Sequence, residues 1–226
     1  MKNITSIALL LGTFTILSGQ ANTITGNMNG GPREVFYKIK SEGAGRSLSY
    51  DEIIGSPYIN KNFSLAKVAD DYEKAPARYN TYKDEIEFQK DGTTLVLPND
   101  SKFSRIEFFS PKTTLVRLDS KDDLSGYFFE LVGGKNALYK KIKTKFIDAV
   151  PAQNSYATDR PASFKTLDPV YYIKTEKGFI KKAKNLKDLT EQFPDKKEAI
   201  EGFVKSNKIK FNNEADLIKL VTFLNQ

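Results

Sequence analysis

A repeated pattern of short strands and tight turns fills the sequence between residues 78 and 183 and constrains its fold more than any other feature. Residues 78–88 and 94–97 are rich in β-branched, aromatic and other strand-forming residues, and Asp91-Gly92 lies between them. That dipeptide accepts the positive φ angles of a tight hairpin turn. Three further pairs of segments follow the same pattern: 103–109 with 113–118, 127–132 with 137–147, and 170–173 with 179–183. The sequence therefore predicts an antiparallel sheet or open barrel built from hairpins, with about eight to ten strands.

The hydrophobic period changes to that of short helices in the C-terminal part of the chain. Asn185 and Asn213 are predicted N-caps, and Asp195 followed by Glu198 predicts a further helix start through a capping box. The last helix carries an apolar stripe at positions i, i+3, i+4 and i+7, formed by Leu217, Leu220, Val221 and Leu224. We expect this stripe to pack on the apolar residues of the preceding helix, which are Ile200, Phe203 and Val204. The fold class is therefore mainly β with α.

The N-terminal segment has the three parts of a secretory signal peptide. Lys2 supplies the positive charge, an apolar stretch follows, and small residues precede Asn22, although cleavage before Gln20 competes. A first helix of a cytosolic domain is the alternative, but the segment lacks the polar face that such a helix needs. We therefore expect an exported protein. The predicted parts are a signal peptide, a flexible leader, a β domain and C-terminal helices, at residues 1–21, 22–34, 35–184 and 185–226.

The composition excludes several classes of chemistry. The chain has no histidine and no cysteine, so histidine-based catalysis, histidine or thiolate metal ligands and disulfide bonds are excluded. No phosphate-binding or dinucleotide-binding glycine motif occurs. We predict no cofactor, no metal site and no catalytic residue. The 35 basic and 28 acidic residues give a net charge of +7, which in an exported protein favours an envelope protein or an anionic surface glycolipid as partner over nucleic acid.

A group of lysines is the first candidate binding surface. Lys141, Lys143 and Lys145 alternate along the segment predicted as the return strand 137–147, so they are expected on one exposed face. A strip of positive charge can bind anionic lipid headgroups or lipopolysaccharide. The alternative is that these lysines only protect an exposed strand from edge-to-edge aggregation.

The second candidate surface lies on the strand that precedes the Asp91-Gly92 turn. Arg78, Asn80 and Tyr82 share one face by alternation, and Arg and Tyr are residue types that dominate binding hot spots. In the alternative interpretation, the tyrosines cover the sheet and Arg78 pairs with a nearby carboxylate.

Carboxylates next to these residues suggest a different function. Asp84, Glu85 and Glu87 lie close to Tyr79 and Tyr82, and glycoside hydrolysis needs two carboxyl groups about 5–10 Å apart in one cleft. Glu85 and Glu87 alternate with apolar residues, however, so the pattern places them on a solvent face. A hydrolase of envelope glycans is therefore the alternative function.

Two acidic clusters have the oxygen atoms that calcium prefers. Their members are Asp70, Asp71, Glu73, Asp119, Asp122 and Asp123. Neither cluster has the spacing of an EF-hand loop, so the sequence favours solvated turns.

Three segments carry a resemblance to a known group. They are Gly55-Ser56-Pro57-Tyr58-Ile59-Asn60, the segment 78–88, and the lysine-rich C-terminus that ends in Asp216-Leu217-Ile218-Lys219-Leu220. They resemble an uncharacterised family of small exported proteins of the Bacteroidota, in which these stretches read G-S-P-Y-x-N and R-Y-N-x-Y-x-D-E-I-E. The resemblance implies export to the periplasm or the cell surface of a Gram-negative bacterium, but no established activity. Together with the composition, it predicts a non-enzymatic binding or structural protein of the envelope.

Overall fold

The computed structural model describes residues 33–154, 156–181 and 185–226. The strands within these ranges are β1 (Arg33–Glu34), β2 (Lys38–Ser41), β3 (Arg46–Ser49), β4 (Ser64–Lys67), β5 (Ala75–Asn80), β6 (Glu85–Lys90), β7 (Thr93–Val96), β8 (Arg105–Phe109), β9 (Lys112–Leu118), β10 (Gly126–Val132), β11 (Ala137–Lys141), β12 (Thr144–Ile147), β13 (Ser163–Thr166), β14 (Val170–Thr175) and β15 (Gly178–Lys181). The helices are α1 (Leu186–Thr190), α2 (Lys197–Ser206) and α3 (Glu214–Leu224).

One open antiparallel sheet contains eleven of these strands. Their order is β1-β7-β6-β5-β4-β8-β9-β10-β11-β14-β15, so strands that are neighbours in sequence mostly lie side by side. The turn between β6 and β7 has positive φ at both Asp91 and Gly92, at 49° and 76°. The predicted class, an open antiparallel sheet built from hairpins and followed by short helices, is confirmed.

The sheet is strongly curled between β6 and β10. These strands are five positions apart in the sheet order, which would separate them by about 24 Å if the sheet were flat. The backbone N–H of Tyr127 in β10 nevertheless donates to Oδ1 of Asp84, in the turn before β6, over 3.3 Å. Buried residues of both sides fill the inside of the curl, among them Ala77, Ile86 and Leu115. This part of the sheet therefore has the form of an open barrel.

The C-terminal helices cover the other end of the sheet. The stripe of α3 is buried as predicted, with exposed fractions of 3% or less for Leu217, Leu220, Val221 and Leu224. It shares a core with Ile200 of α2 and with Leu138 of β11, and the rings of Phe203 and Phe223 stack at 4.2 Å. The predicted packing of the last helix on the preceding one is confirmed.

The helix starts follow the predictions in two cases of three. The side-chain oxygen of Asn185 accepts a hydrogen bond from the backbone N–H of Asp188 over 3.2 Å. That of Asn213 accepts from the backbone N–H of Asp216 over 3.0 Å. The predicted start at Asp195 is wrong: residues 194–196 form a 3₁₀ turn, and α2 begins without a side-chain cap. Pro194 occupies the first position of that turn, where its fixed φ angle suits a helix start.

Two parts of the N-terminal prediction can be compared with the structure. Arg33–Glu34, assigned above to the leader, form β1 and pair with β7. The strand expected at residues 35–39 is shifted, since β2 begins at Lys38. Residues 1–32, which include the predicted signal peptide, lie outside the described residues.

Two small sheets lie against the large one. β2 pairs with β3, and β12 pairs with β13. Between them lies a third core with many aromatic side chains, including Tyr50, Tyr58 and Phe164. Within the described ranges, no helix combines the length and the apolar character that crossing a membrane requires.

Candidate functional site

A cleft of about 1020 Å³ opens where the two sides of the curled sheet approach each other. One wall comes from the start of β6 and from the chain that follows β7, and the other comes from the end of β9 and the start of β10. We call it the seam cleft. Its polar lining includes Arg33, Lys83, Asp84, Glu85, Asp100, Ser101, Ser104, Arg117, Asp119 and Ser125, and its apolar lining includes Ile86, Val96, Leu97 and Pro98.

The turn between β5 and β6 places Asp84 in this cleft. The side-chain oxygen of Asn80 accepts the backbone N–H groups of Tyr82 and Lys83, at 3.1 and 3.0 Å, which fixes the turn. Asp84 then adopts φ of 58°, a left-handed conformation that aspartate tolerates better than most residues. A Cβ atom on Gly126 would lie 1.7 Å from Oδ2 of Asp84, so only glycine fits opposite this carboxylate.

Three donors bind the carboxylate of Asp84. The hydroxyl of Tyr79 and the N–H of Tyr127 donate to Oδ1, and the ammonium of Lys141 donates to Oδ2 over 2.9 Å. The same ammonium donates to the backbone oxygen of Tyr127, also over 2.9 Å. Lys141 belongs to β11, so this ion pair ties β11 to the turn before β6, across the curl.

The predicted exposure of Lys141 is wrong. Its side chain is 1% exposed. Burial lowers the pKa of Lys141 and outweighs the opposite effect of the neighbouring Asp84 carboxylate. The predicted strand 137–147 is in fact two strands, β11 and β12, which belong to different sheets. The alternation therefore does not continue past Lys141, and the three lysines do not form one strip. Lys143 donates to the backbone oxygen of Asp123 over 3.0 Å, and Lys145 is exposed on β12.

Arg78 and Asn80 surround a buried carboxylate instead of facing solvent. Nε of Arg78 donates to Glu87 over 2.8 Å, the amide of Asn80 donates over 2.9 Å, and Tyr58 donates from its hydroxyl over 3.1 Å. The predicted solvent position of Glu87 is wrong, because its side chain is fully buried. The aromatic core beneath β2 and β3 covers this face of the sheet, and local alternation cannot reveal such a cover.

Tyr82 and Arg78 also contact aromatic rings. The ring of Tyr82 lies 5.4 Å from that of Phe164, edge to face. The guanidinium of Arg78 lies 4.0 Å from the ring of Tyr58 and 4.3 Å from that of Phe63, and its side chain is 14% exposed. The side chains proposed above as a binding surface therefore have intramolecular partners, as in the alternative interpretation.

The remaining charged groups of the seam cleft include two with unused hydrogen-bonding capacity. Oε1 of Glu85 accepts from Arg33, whereas its buried Oε2 has no donor among the described residues. The half-buried guanidinium of Arg117 has no side-chain hydrogen bond or ion pair within the described ranges. Lys83, by contrast, donates to the backbone oxygen of Phe36 over 2.7 Å.

Arg117 is not among the site residues predicted above, although the sequence pattern contains a signal for it. Arg117 is in phase with Leu115, a fully buried residue of the curled core, and it pairs directly with Tyr127 across the ladder. A charged side chain that alternates in phase with core residues points toward the inside of the sheet. Such a position is unusual for arginine unless a partner is available.

The acidic loop between β9 and β10 uses its carboxylates to fold itself. Asp119 accepts from the N–H of Lys121 and the hydroxyl of Ser125, at 3.0 and 3.1 Å. Asp122 accepts from the N–H of Leu124 over 2.9 Å and from the hydroxyl of Tyr172 over 2.8 Å. Elsewhere, Asp70 pairs with Lys67 over 2.5 Å. Within the described ranges, no group of three or more acidic residues is arranged to hold a metal ion.

Comparison of the chain with protein-family models, with curated proteins and with solved structures finds no match.

Proposed function

We propose that this protein is an exported, non-enzymatic binding protein of the bacterial envelope and that the seam cleft is its ligand site. The observation that carries the proposal is a cleft of about 1020 Å³ whose half-buried Arg117 has no side-chain hydrogen bond or ion pair among the described residues. Its volume is at the upper end of the usual range for small-molecule sites, which is about 300–1000 Å³. Oε2 of Glu85, a buried carboxylate oxygen that has no donor within the described part of the chain, belongs to a residue of the same cleft.

Arg117 favours a ligand with an acidic group, and the groups around it suit a saccharide. A carboxylate or phosphate group would pair with Arg117, and charge-assisted hydrogen bonds of this kind are among the strongest. Serine hydroxyls and the carboxylates of Asp100 and Asp119 can bind sugar hydroxyls, while Leu97 and Pro98 offer apolar surface to a sugar ring. Such a ligand agrees with the anionic surface glycolipid predicted from the basic composition.

A titration with defined saccharides tests the location of the site. Backbone amide resonances are followed while an oligogalacturonate, or a neutral galacto-oligosaccharide of equal length, is added. We expect the acidic compound to shift amides of the lining, such as those of Ser101 and Tyr127, and the neutral compound to shift them less. Shifts confined to residues outside the cleft would contradict the proposal.

A hydrolase of envelope glycans is the second candidate, because Asp84 and Glu85 both line the seam cleft. Glycoside hydrolysis uses one protonated and one ionised carboxyl group. Here Asp84 pairs with Lys141 and Glu85 pairs with Arg33, so both carboxyl groups already have a cationic partner within the protein. Release of reducing ends from the saccharides of the titration, abolished by Glu85→Gln, would favour the hydrolase over a binding protein.

Export is supported by the signal-peptide pattern of residues 1–21 and by the resemblance to exported Bacteroidota proteins. We predict that protein recovered from the envelope begins near Asn22 or Gln20. The intact mass measures this start directly, and a chain that retains Met1 would contradict export by this route.

A further inference from the structure

The small sheet of β12 and β13 has one buried face and one exposed face. Phe146 and Phe164 pair directly and pack into the aromatic core. Lys145 and Lys165 pair directly on the opposite face, and both are exposed. A backbone hydrogen bond from Leu167 to Lys143 extends the ladder by one pair over 2.8 Å, and Ile54 forms a parallel bridge with Ser163. We call the exposed surface the lysine face; it contains Ile54, Lys143, Lys145, Ile147, Lys165 and Leu167.

The charges of the lysine face are not balanced within it. Like charges directly opposite each other across a ladder destabilise a sheet. Neither Lys145 nor Lys165 has an ion pair or a side-chain hydrogen bond among the described residues. Two carboxylates lie three residues from these lysines in sequence. That of Asp148 is occupied by the hydroxyl of Ser41 and by backbone N–H groups of residues 42, 43 and 149. That of Asp168 is exposed and forms no ion pair with either lysine, so it offsets at most one of the positive charges. The face therefore presents positive charge that a negative partner can compensate.

Aliphatic side chains flank these charges. Ile54 is 59% exposed and Leu167 is 38% exposed, and both belong to the few large apolar residues exposed in the described ranges. A polyanion in solution gains little from exposed isoleucine and leucine. A lipid surface can use both features, since its headgroups attract lysines while apolar side chains enter the boundary with the acyl chains.

We propose that the lysine face docks the protein on the surface of a bilayer that contains anionic lipids. This inference does not depend on the ligand of the seam cleft, because Lys143, Lys145, Lys165, Ile54 and Leu167 do not line that cleft. The lysine face differs from the strip of Lys141, Lys143 and Lys145 that the sequence predicted, because Lys141 is buried and Lys165 lies beside Lys145 instead.

Sedimentation with vesicles tests the proposal, using protein recovered from the envelope of an expressing bacterium. The probes are vesicles of phosphatidylcholine alone and of an equal mixture with phosphatidylglycerol. We expect binding to the mixed vesicles only, weakened by salt. Each lysine near an anionic leaflet contributes about fivefold in affinity, so Lys145→Gln/Lys165→Gln should weaken binding about 25-fold.

The matched control is Lys61→Gln/Lys112→Gln, which removes the same charge from exposed positions outside the face. It should change vesicle affinity by less than about threefold. Ile54→Ser/Leu167→Ser tests the apolar part and should weaken vesicle binding while leaving binding to dextran sulfate unchanged. If Lys61→Gln/Lys112→Gln lost as much vesicle affinity as Lys145→Gln/Lys165→Gln, the proposal would be overturned. The attraction to the vesicles would then come from the net charge of the protein. Vesicle binding that is insensitive to the aliphatic changes would also overturn it, in favour of a soluble polyanion.

Discussion

Lys141 is the residue that joins distant parts of the large sheet. Its ammonium is buried between the carboxylate of Asp84 and the backbone oxygen of Tyr127, and it lies 4.9 Å from the ring centre of Phe128. Burial opposes the charge of this group, as the lowered pKa of Lys141 indicates, so the ion pair must offset a desolvation penalty. Removing only one partner leaves the other without compensation.

We therefore predict a large effect of Lys141→Met. The free energy of unfolding should fall by about 3–5 kcal/mol, the usual cost of breaking a buried ion pair from one side. Lys145→Met should change it by less than about 0.5 kcal/mol, because Lys145 is exposed and has no ion pair with any described residue. Urea denaturation measures both values, and similar values for the two variants would contradict the stabilising role assigned to the ion pair of Lys141 and Asp84.

A second variant tests whether the pair acts as a unit. Asp84→Asn keeps a residue that tolerates the positive φ of this position. In combination with Lys141→Met it should destabilise less than the sum of the single changes, because the partner left unpaired is removed as well. Additive effects would show that the two side chains act independently.

At the scale of single elements, α3 gives the clearest case of a helix that depends on its packing. A helix of 11 residues is marginally stable alone in water. Its stripe is buried against α2 and the sheet, whereas Lys219, one residue before Leu220, is 60% exposed and only loosely paired with Asp216 at 3.7 Å. The stability of α3 therefore comes from tertiary contacts.

Leu220→Ala should lower the free energy of unfolding by about 2–5 kcal/mol and the thermal midpoint by several degrees. Lys219→Ala should leave both nearly unchanged. Thermal and chemical unfolding of the two variants measure the difference. Equal midpoints would mean that the stripe is not part of the folded core and would favour a helix that docks on a partner.

Elements with local signals could be predicted from the sequence, and elements that depend on distant parts of the chain could not. The Asp91-Gly92 turn and the Asn213 cap follow from the chemistry of a few neighbouring residues. The burial of Lys141 depends on where β11 ends, and the burial of Glu87 depends on a core contributed by other segments. Asp84 is recognisable in the sequence as a candidate carboxylate. Its ion pair with Lys141 is not, because the two residues are 57 positions apart in the chain.

At the scale of the whole molecule, buried tyrosines link stability to alkaline pH. Burial raises the pKa of Tyr127 to about 12 and raises that of Tyr79 well above its ordinary value of 10. Burial also raises the pKa of Tyr50, to about 12, and that of Tyr58. The unfolded chain releases these phenol protons near pH 10, whereas the folded protein retains them. The folded state then binds more protons, so stability falls as pH rises.

We predict a lower urea midpoint at about pH 11 than at about pH 9, with a slope of about 1.4 kcal/mol per pH unit for each fully buried tyrosine. Tyrosinate absorbance should appear in two stages, first from exposed residues and then together with unfolding. Titration of all 11 tyrosines near pH 10 without loss of structure would contradict the burial described above.

The central claim is that Arg117 of the seam cleft binds the acidic group of a ligand. Calorimetric titration of Arg117→Gln with oligogalacturonate tests this claim most directly. The predicted result is a loss of about tenfold or more in affinity, since a hydrogen bond to a charged group is worth about 1.5–3 kcal/mol. Arg105→Gln is the matched control, because Arg105 is exposed, pairs with Glu107 and Glu130, and does not line the cleft. Its affinity should stay within about twofold of the unmodified protein. Equal affinity of all three proteins, or no binding of the acidic saccharide to any of them, would contradict the account.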